Sequence, residues 1–189
     1  MNNTLYLFVG KSASGKTTVA NFLEQKYDLE QVNSYTTRSP RYEGEIGHVF
    51  VDNIEFDHLG EMVAYTEYNG FRYGTTAEQL DQCQIYVVDV PGVKTLLERY
   101  KSDRKIVIIY FSATICTRIH RMVDRGDSDM TIIARLLQDE KEDWIDELNS
   151  IVWQYKTCYG RDVLLYSMYT DDDLASVVSK VERYMGVNA

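Results

Sequence analysis

The feature that most constrains this chain is an octapeptide that follows an apolar run at residues 5–9 and precedes a helical pattern. It reads Gly10-Lys11-Ser12-Ala13-Ser14-Gly15-Lys16-Thr17 and fits G-x-x-x-x-G-K-[S/T]. A glycine-rich turn between a buried strand and a helix directs backbone N–H groups inward, and the helix N-terminus adds its positive dipole. The octapeptide therefore predicts a phosphate-binding loop in an α/β fold.

Each side chain of this loop has an expected task. The Lys16 ammonium can reach the β and γ phosphates of a nucleoside triphosphate, and the Thr17 hydroxyl can ligate Mg²⁺. The residues expected to bind the triphosphate are Gly10, Lys11, Ser12, Ala13, Ser14, Gly15, Lys16, Thr17 and Thr18. An alternative is an ordinary glycine turn with an exposed lysine, which the strand before it and the helix after it disfavour.

The remaining pattern alternates strands with helices. Apolar runs bounded by turn residues predict strands at 5–9, 85–90, 105–111 and 162–166. Apolar spacings of three and four predict helices at 17–26, 93–100, 114–123, 130–155 and 172–184. This alternation predicts a parallel sheet covered by helices on both faces, the three-layer fold of a P-loop NTPase.

Length and charge exclude several classes of protein. The chain has 189 residues, enough for one domain, and a formal net charge of −9, which disfavours nucleic-acid binding. No apolar run is long enough to span a membrane, and the N-terminus lacks a basic signal region, so we expect a cytoplasmic protein. The three cysteines show no metal-ligand or disulfide spacing and are predicted to be core thiols: Cys83, Cys116 and Cys158.

Two stretches interrupt the alternation. Residues 34–75 are polar and rich in Gly, Tyr and Arg, which predicts a small antiparallel insertion with a short helix near 53–59. Residues 121–138 contain a charged break at 125–129 that predicts a mobile loop. We expect one domain with its core at 1–33 and 76–189, and with both stretches bordering a cleft at the carboxyl ends of the strands.

The first of these stretches contains two arginines that are three residues apart. Arg38 and Arg41 lie among hydroxyl side chains, and Pro40 stiffens the turn between them. Forked guanidinium donors suit a phosphate monoester, whereas two isolated arginines more often form a solvated surface pair.

At this point the chain resembles the guanylate kinase family of nucleoside monophosphate kinases, from about residue 5 to residue 184. The matching stretches are the phosphate-binding loop, the run Thr36-Thr37-Arg38-Ser39-Pro40-Arg41-Tyr42-Glu43-Gly44-Glu45 with Gly47, then Tyr73-Gly74-Thr75 after Gly70, and Asp89-Val90-Pro91-Gly92. Downstream, Arg121, Arg125-Gly126 and Arg135-Leu136 resemble the family's lid.

The resemblance implies transfer of the γ-phosphoryl group of ATP, with Mg²⁺, to a nucleoside 5′-monophosphate bound by residues 34–75. GMP or dGMP is the default acceptor. The acceptor-binding residues that it implies are Ser34, Arg38, Arg41, His48, Tyr73, Thr75 and Asp89. The catalytic cations that it implies are Lys16, Arg38, Arg121, Arg125 and Arg135. No general base is required.

Two positions depart from the family pattern. Ala64 stands where the family usually has a glutamate that reads the guanine edge, and Glu67 is predicted to face the opposite side of the strand. His48 replaces a tyrosine, and its imidazole brings a pH-dependent charge that tyrosine lacks.

Two other functions stay open at the level of sequence. A P-loop kinase of another phosphorylated small molecule, such as a sugar phosphate, would use the same arginines. A non-catalytic module that binds phosphopeptides, as in the wider family, would not need the complete loop with Lys16 and Thr17.

Smaller features receive structural interpretations. Trp144 and Trp153 are predicted to anchor a long helix to the core, the acidic run 139–143 to form a solvated helix face, and the run 171–173 to begin a helix.

Overall fold

The computed structural model describes residues 3–41, 43–140 and 144–187. Its elements follow the chain in the order β1 (Thr4–Val9), α1 (Lys16–Tyr27), β2 (Ser34–Thr36), β3 (His48–Phe50), α2 (Asn53–His58), β4 (Ala64–Tyr68), β5 (Phe71–Thr75), α3 (Ala77–Gln82), β6 (Ile85–Val87), α4 (Val90–Arg99), β7 (Lys105–Ser112), α5 (Ile115–Asp124), α6 (Asp129–Asp139), α7 (Trp144–Tyr159), β8 (Val163–Tyr169) and α8 (Leu174–Met185). Tyr42 of the arginine-containing run and residues 141–143 of the acidic run lie outside the described residues.

The main sheet contains four parallel strands in the order β6-β1-β7-β8. Tyr6 in β1 is in register with Ile85 on one side and with Val107 on the other. All six residues of β1 are buried, which explains its continuous apolar sequence. The prediction of an α/β fold with a parallel sheet is confirmed.

Side chains of β1 alternate between two hydrophobic cores, one on each face of this sheet. Leu5 and Leu7 belong to the core that α4 and α7 cover, whereas Phe8 belongs to the core that α1 and α8 cover. Because successive strand residues point to opposite faces, one short strand contributes to both layers. This central position fixes the end of β1, where the phosphate-binding loop begins.

The second sheet is formed by strands that all lie within residues 34–75, in the order β3-β2-β5-β4. Strand β5 pairs antiparallel with β2 and with β4, but β2 and β3 are parallel, so the sheet is mixed and the prediction of an antiparallel arrangement is only partly correct. Helix α2 occurs where it was expected, and Asp52 and Glu55 form a capping box at its start.

The single helix predicted at 130–155 is wrong. Helix α6 ends at Asp139, and α7 begins at Trp144. The predicted break before it is present, because α5 ends at Asp124 and the Ser128 side chain caps α6. Apolar periodicity continues across 130–155 because both helices bury one face, and periodicity alone does not show where one helix ends and the next begins.

Some predictions of burial are also wrong. Trp144 is buried, whereas Trp153 is 65% exposed, because nine residues correspond to about two and a half helical turns and place it on the opposite face of α7. Cys116 and Cys158 are exposed, and only Cys83 is half-buried, so the cysteines are not core thiols as a group. Among the described residues, no helix is long and apolar enough to cross a membrane.

Replacement of Gly10 by alanine should destabilise the fold. A Cβ atom there would lie 2.3 Å from the backbone oxygen of Phe111 in β7, so either the loop or the central strand must move. Overpacking and backbone strain together predict a loss of about 2–4 kcal/mol in the free energy of unfolding.

Urea denaturation checks this prediction, and Gly60→Ala is the matched control. Gly60 also has a positive φ, 85°, but nothing lies within 4 Å of its hypothetical Cβ, so only backbone strain remains. Equal losses in the two variants would show that the contact with Phe111 has no effect on stability.

Candidate functional site

The loop between β1 and α1 turns around the Lys16 side chain. Gly15 adopts φ 97° and Ala13 adopts φ 60°, and this left-handed backbone bends the chain sharply into the helix. The Lys16 Nζ atom donates to the backbone oxygens of Gly10 at 2.5 Å and Lys11 at 2.9 Å. The ammonium group is therefore held by the loop itself.

Lys16 is a half-buried cation that the loop partly shields from water. Burial lowers the pKa of Lys16 to about 8, although the negative charges of Asp139 and Asp89 raise it and Arg118 lowers it further. An anionic phosphate placed beside this ammonium group would favour the charged form. The loop therefore combines a desolvated cation with a helix N-terminus, an arrangement that favours a phosphate group.

A buried ion pair clamps the loop from the side. Arg118 in α5 and Asp139 at the end of α6 are 2% and 1% exposed and lie 2.5 Å apart. Asp139 accepts the backbone N–H of Ser12 at 2.8 Å, and Arg118 Nε donates to the Ser12 backbone oxygen at 2.9 Å. Ser12 of the loop is thus fixed at both its backbone donor and its backbone acceptor, which belong to two successive peptide groups.

This clamp corrects the interpretation of the acidic run at 139–143 as a solvated helix face, as far as its described residues show. Asp139 is buried against the loop, and Glu140 forms ion pairs with Lys11 at 3.1 Å and with Arg118 at 3.3 Å. The sequence did contain a signal for this ion pair, because Asp139 ends a helix that follows the helix containing Arg118. The pairing of distant side chains, however, required the tertiary structure.

Two cavities adjoin the loop and share part of their lining. The first has a volume of about 250 Å³ and the second about 440 Å³. The shared residues are Ala13, Lys16, Thr17 and Arg125. The predicted residues that line only the first are Gly10, Ser12, Ser34, Arg41, His48, Tyr73, Asp89 and Arg135, and those that line only the second are Gly15, Thr18 and Arg121. Two ligands could therefore meet at Lys16.

Strands β2 and β3 bring two predicted acceptor-binding residues together in the first cavity. The Ser34 Oγ and His48 Nδ1 atoms lie 2.9 Å apart in neighbouring strands, and the ring of Tyr73 lies 5.7 Å from that of His48. Burial and the positive charge of Arg38 lower the pKa of His48 to about 4. The imidazole is therefore neutral near pH 7, which restricts the pH-dependent charge expected from the sequence to acidic solution.

Positive charge accumulates on one wall of this cavity. Burial and the nearby guanidinium groups of Arg135 and Arg38 lower the pKa of Arg41. Arg125 and Arg135 both form ion pairs with Asp127, which lies between them in the chain. These contacts direct three arginines of two separate segments toward one space.

Two predicted acceptor-binding residues, Arg38 and Thr75, do not line either cavity. The guanidinium of Arg38 forms a bidentate pair with Glu45, at 2.9 and 3.1 Å, and Glu45 also accepts the backbone N–H of Arg41. Burial by itself would raise the pKa of the Glu45 carboxyl. The contacts with Arg38 and Arg41 nevertheless hold that pKa below its ordinary value. Glu45 is thus a positioning residue that sequence reasoning missed. Thr75 is fully buried, and its hydroxyl donates to Tyr86 Oη at 2.9 Å.

Most of the other predicted residues contact the loop or the elements next to it. Arg121 donates to the backbone oxygens of Ala13 and Thr170. Ser14 is fully buried, and Lys11 is directed to Glu140. Asp89 accepts the backbone N–H of Gly92 at 2.9 Å and caps α4, and it also lines the first cavity.

The donor set around the loop suits a magnesium ion held mainly by phosphate oxygens. Within the described parts of the chain, no group of three or more His, Cys, Asp or Glu side chains could hold a metal ion. Mg²⁺ keeps several waters and binds readily through substrate phosphates, so the Thr17 hydroxyl together with a triphosphate fits this ion.

A phosphate-binding loop at the end of a parallel strand, with two cavities that meet at its lysine, defines a P-loop kinase. Comparison with known proteins agrees. A guanylate kinase of Alkalilimnicola ehrlichii is 30% identical over 151 residues, which cover 74% of this chain and 73% of that protein. A guanylate kinase of Enterococcus faecalis is 26% identical over 196 residues, with 96% and 93% covered.

A guanylate kinase of Geobacter metallireducens is 32% identical over 118 residues, and the match spans only 58% of its length. No family model matches the chain. The identity and coverage of these relatives show that the chain belongs to the guanylate kinase family. It is an enzyme of the nucleoside monophosphate kinase class.

Removal of the Asp139 carboxylate should destabilise the protein. Asp139→Ala leaves the Arg118 guanidinium buried without its main partner, which predicts a loss of about 3–5 kcal/mol in the free energy of unfolding. Glu61→Ala, which removes an exposed carboxylate, should change stability by less than about 0.5 kcal/mol. Urea denaturation of both variants measures the difference, and similar losses would contradict a specific role for the ion pair.

The low pKa of His48 predicts a particular dependence of stability on pH. Because the folded pKa is about 4 and the ordinary value is 6.5, folding favours the neutral imidazole, and this contribution is lost as the pH falls from about 6.5 toward 4. Relative to His48→Gln, the wild type should lose stability by at most about 1.4 kcal/mol per pH unit in that window.

Comparing the wild type with His48→Gln removes from the difference in stability the contribution of carboxylates that titrate in both proteins. The charged groups around His48 are Arg38, Glu45 and Arg41, and all three are retained in the variant, as is the neighbouring Tyr73. Parallel stability curves of the two proteins between pH 7 and pH 4 would show that His48 is not the group that titrates.

Proposed function

We propose that the protein transfers the γ-phosphoryl group of ATP to a nucleoside 5′-monophosphate, with GMP or dGMP as the default acceptor and Mg²⁺ as the metal ion. The observation that carries this proposal is the sharing of Ala13, Lys16, Thr17 and Arg125 by two cavities. A donor in one cavity and an acceptor in the other would present their phosphates to each other at the same lysine, which favours in-line transfer.

Lys16 and the arginines of residues 121–138 would stabilise the transferred group. Phosphoryl transfer passes through a state in which negative charge is spread over three oxygens, so positioned cations supply most of the acceleration. Lys16 is half-buried and, like Arg125 and Arg135, lines the first cavity. Mg²⁺, held by Thr17 and the phosphates of ATP, would add charge neutralisation at the same point.

The acceptor phosphate would bind to Arg41, Ser34, His48 and Tyr73. The guanidinium of Arg41 supplies forked donors, and the hydroxyl groups of Ser34 and Tyr73 supply neutral donors in the same cavity. Arg38 would stabilise this binding site through Glu45, because both arginines contact that one carboxylate. Arg38 is thus proposed as a positioning residue.

The resemblance to the family links the choice of acceptor base to position 64, which is Ala64 in this chain. Its side chain is fully buried, and it is in register with Thr75 on the neighbouring strand. A methyl group cannot accept the hydrogen bonds of the guanine edge that a glutamate would accept, so GMP should bind with less base selectivity. The same observation favours the second candidate, a kinase of a sugar phosphate, which needs no base recognition. Membership of an enzyme family and the complete loop disfavour a non-catalytic phosphopeptide-binding module.

The expected surroundings of the enzyme agree with this proposal. A net charge of −9 disfavours nucleic acid as a partner, and ATP with a nucleoside monophosphate are the proposed ligands. A cytoplasmic location, where both nucleotides are available, stays a prediction.

Acceptor identity is tested by coupled measurement of ADP release with GMP, dGMP, AMP, CMP, UMP, dTMP, IMP and ribose 5-phosphate. We expect release above the ATPase background with at least one nucleoside monophosphate. Release with ribose 5-phosphate alone would favour the second candidate, and no stimulation by any of these compounds would overturn the proposal.

Arg41→Ala should separate the two binding sites. Loss of a charge-assisted hydrogen bond to the acceptor phosphate predicts an increase of about 10- to 100-fold in the KM of the acceptor, with the KM of ATP nearly unchanged. Arg72→Ala is the matched control, because Arg72 lies on the same sheet but pairs with Asp57 at 2.7 Å. A larger effect of Arg41→Ala on ATP than on the acceptor would show that the assignment of the two cavities is wrong.

A further inference from the structure

His48, the first residue of β3, keeps one ring nitrogen available to a ligand. It lines the first cavity and is partly exposed. Its Nδ1 atom lies 2.9 Å from Ser34 Oγ on the neighbouring strand. The Nε2 atom, on the opposite side of the ring, has no hydrogen-bond partner among the described residues, and it is not one of the unpaired polar atoms that are shielded from solvent. A ligand in the cavity can therefore reach Nε2.

The ring is held in place by its neighbours in either charge state. The ring of Tyr73 on β5 lies 5.7 Å from that of His48, and the ring of Phe50 lies 6.0 Å away, both edge-on. The Ser34 hydroxyl can donate to Nδ1 or accept from it, so the same hydrogen bond suits the neutral ring and the imidazolium. The ring can therefore gain a proton without changing its position.

The charged groups that face this imidazole belong to the segment between β2 and β3. Burial and the guanidinium of Arg38 lower the pKa of the ring, and the nearby Glu45 carboxylate raises it. Arg38 and Arg41 both contact Glu45, so these three groups together carry one net positive charge. Ser34 on β2 and Tyr73 on β5 add hydroxyl groups but no charge near pH 7.

We propose that His48 takes up one proton from solvent when the acceptor phosphate binds, and that the imidazolium is then a cation of the acceptor-phosphate site beside Arg41. The inference rests on the proposed function and deepens it. A phosphate dianion brings two negative charges to a segment that has one net positive charge, and one proton on the ring restores neutrality. One ring N–H then donates to Ser34, and the other donates to a phosphate oxygen.

This coupling depends on the presence of a histidine at residue 48. A neutral imidazole has one N–H, so without the proton it presents a lone pair either to Ser34 or to the phosphate, whose oxygens only accept. Tyrosine, the residue of the family pattern, would donate a neutral O–H at every pH. Because the bound phosphate raises the pKa of His48 from about 4 back toward its ordinary value of 6.5, the histidine should strengthen acceptor binding as the pH falls toward 6.

Calorimetry of the full-length protein tests the inference. GMP, or the nucleoside monophosphate that the ADP-release screen selects, is titrated at pH 6 into the wild type, H48Y and H48Q, in two buffers of different ionisation enthalpy. The dependence of the binding heat on that enthalpy gives the number of protons taken up. The wild type should take up about 0.5–0.8 proton more per bound acceptor than either variant. The acceptor phosphate exchanges protons in all three proteins, so the difference isolates His48.

His58→Gln is the matched control. His58 lies on α2 of the same insertion, is exposed, and has its Nδ1 atom 2.6 Å from the backbone oxygen of Ile54. This variant should take up as many protons as the wild type. A loss of proton uptake in His58→Gln equal to that in the two His48 variants would show that the proton does not bind specifically to His48.

The pH dependence of affinity provides the second measurement. Between pH 8 and pH 5.5, the Kd of the acceptor in H48Y divided by that in the wild type should increase by about 4- to 10-fold. The corresponding ratio for ATP should stay constant, because His48 lines only the first cavity. A merely structural role of His48 would change both affinities without this dependence on pH.

The outcomes separate this inference from the proposed function. Binding of GMP with equal proton uptake in the wild type, H48Y and H48Q would overturn the role of His48 alone. Each of the two variants gives this test by itself, so the result does not require both to fold. Proton uptake at His48 without ADP release would overturn the proposed phosphoryl transfer and support the binding role. Absence of binding by every nucleoside monophosphate would overturn both.

Discussion

Lys16 places its ammonium group inside the loop that binds it, where the backbone oxygens of Gly10 and Lys11 accept its N–H groups. The rest of the site is arranged around this half-buried charge. Strand β1 is buried on both faces and holds the start of the loop, and the Arg118–Asp139 pair holds the backbone N–H and C=O groups of Ser12. A loop fixed on both sides keeps its donors in place before a ligand arrives, and such preorganisation is the main source of electrostatic catalysis.

Charge balance explains why so many arginines can share one space. Glu45 neutralises Arg38 and contacts Arg41, whereas Asp127 pairs with both Arg125 and Arg135. Each carboxylate thus contacts two arginines and keeps them oriented. Because two carboxylates pair with four arginines, the wall keeps a net positive charge. An anionic ligand would complete the balance, which agrees with a site for two phosphorylated molecules.

Sequence patterns predicted the elements that depend on local chemistry. The strand-loop-helix unit around Gly10–Thr17, the short helix α2 and the helix break after Asp124 all occur where they were expected. Apolar periodicity did not reveal that α6 and α7 are separate helices, nor that Trp153 faces solvent, because it reports that a face is buried and not which residues pack against it. Asp139 was missed for the same reason, since its partners Arg118 and Ser12 are 21 and 127 residues away.

The sequence by itself determined the class of fold, the phosphate-binding loop and the family, because these depend on short motifs whose backbone geometry is local. Only the tertiary structure decided that two cavities share Lys16 and Arg125, that Arg38 is held by Glu45, and that Arg118 and Asp139 form a buried pair beside the loop. These features arise where separate segments pack together, and the desolvation that gives each charge or donor its role exists only after the chain has folded.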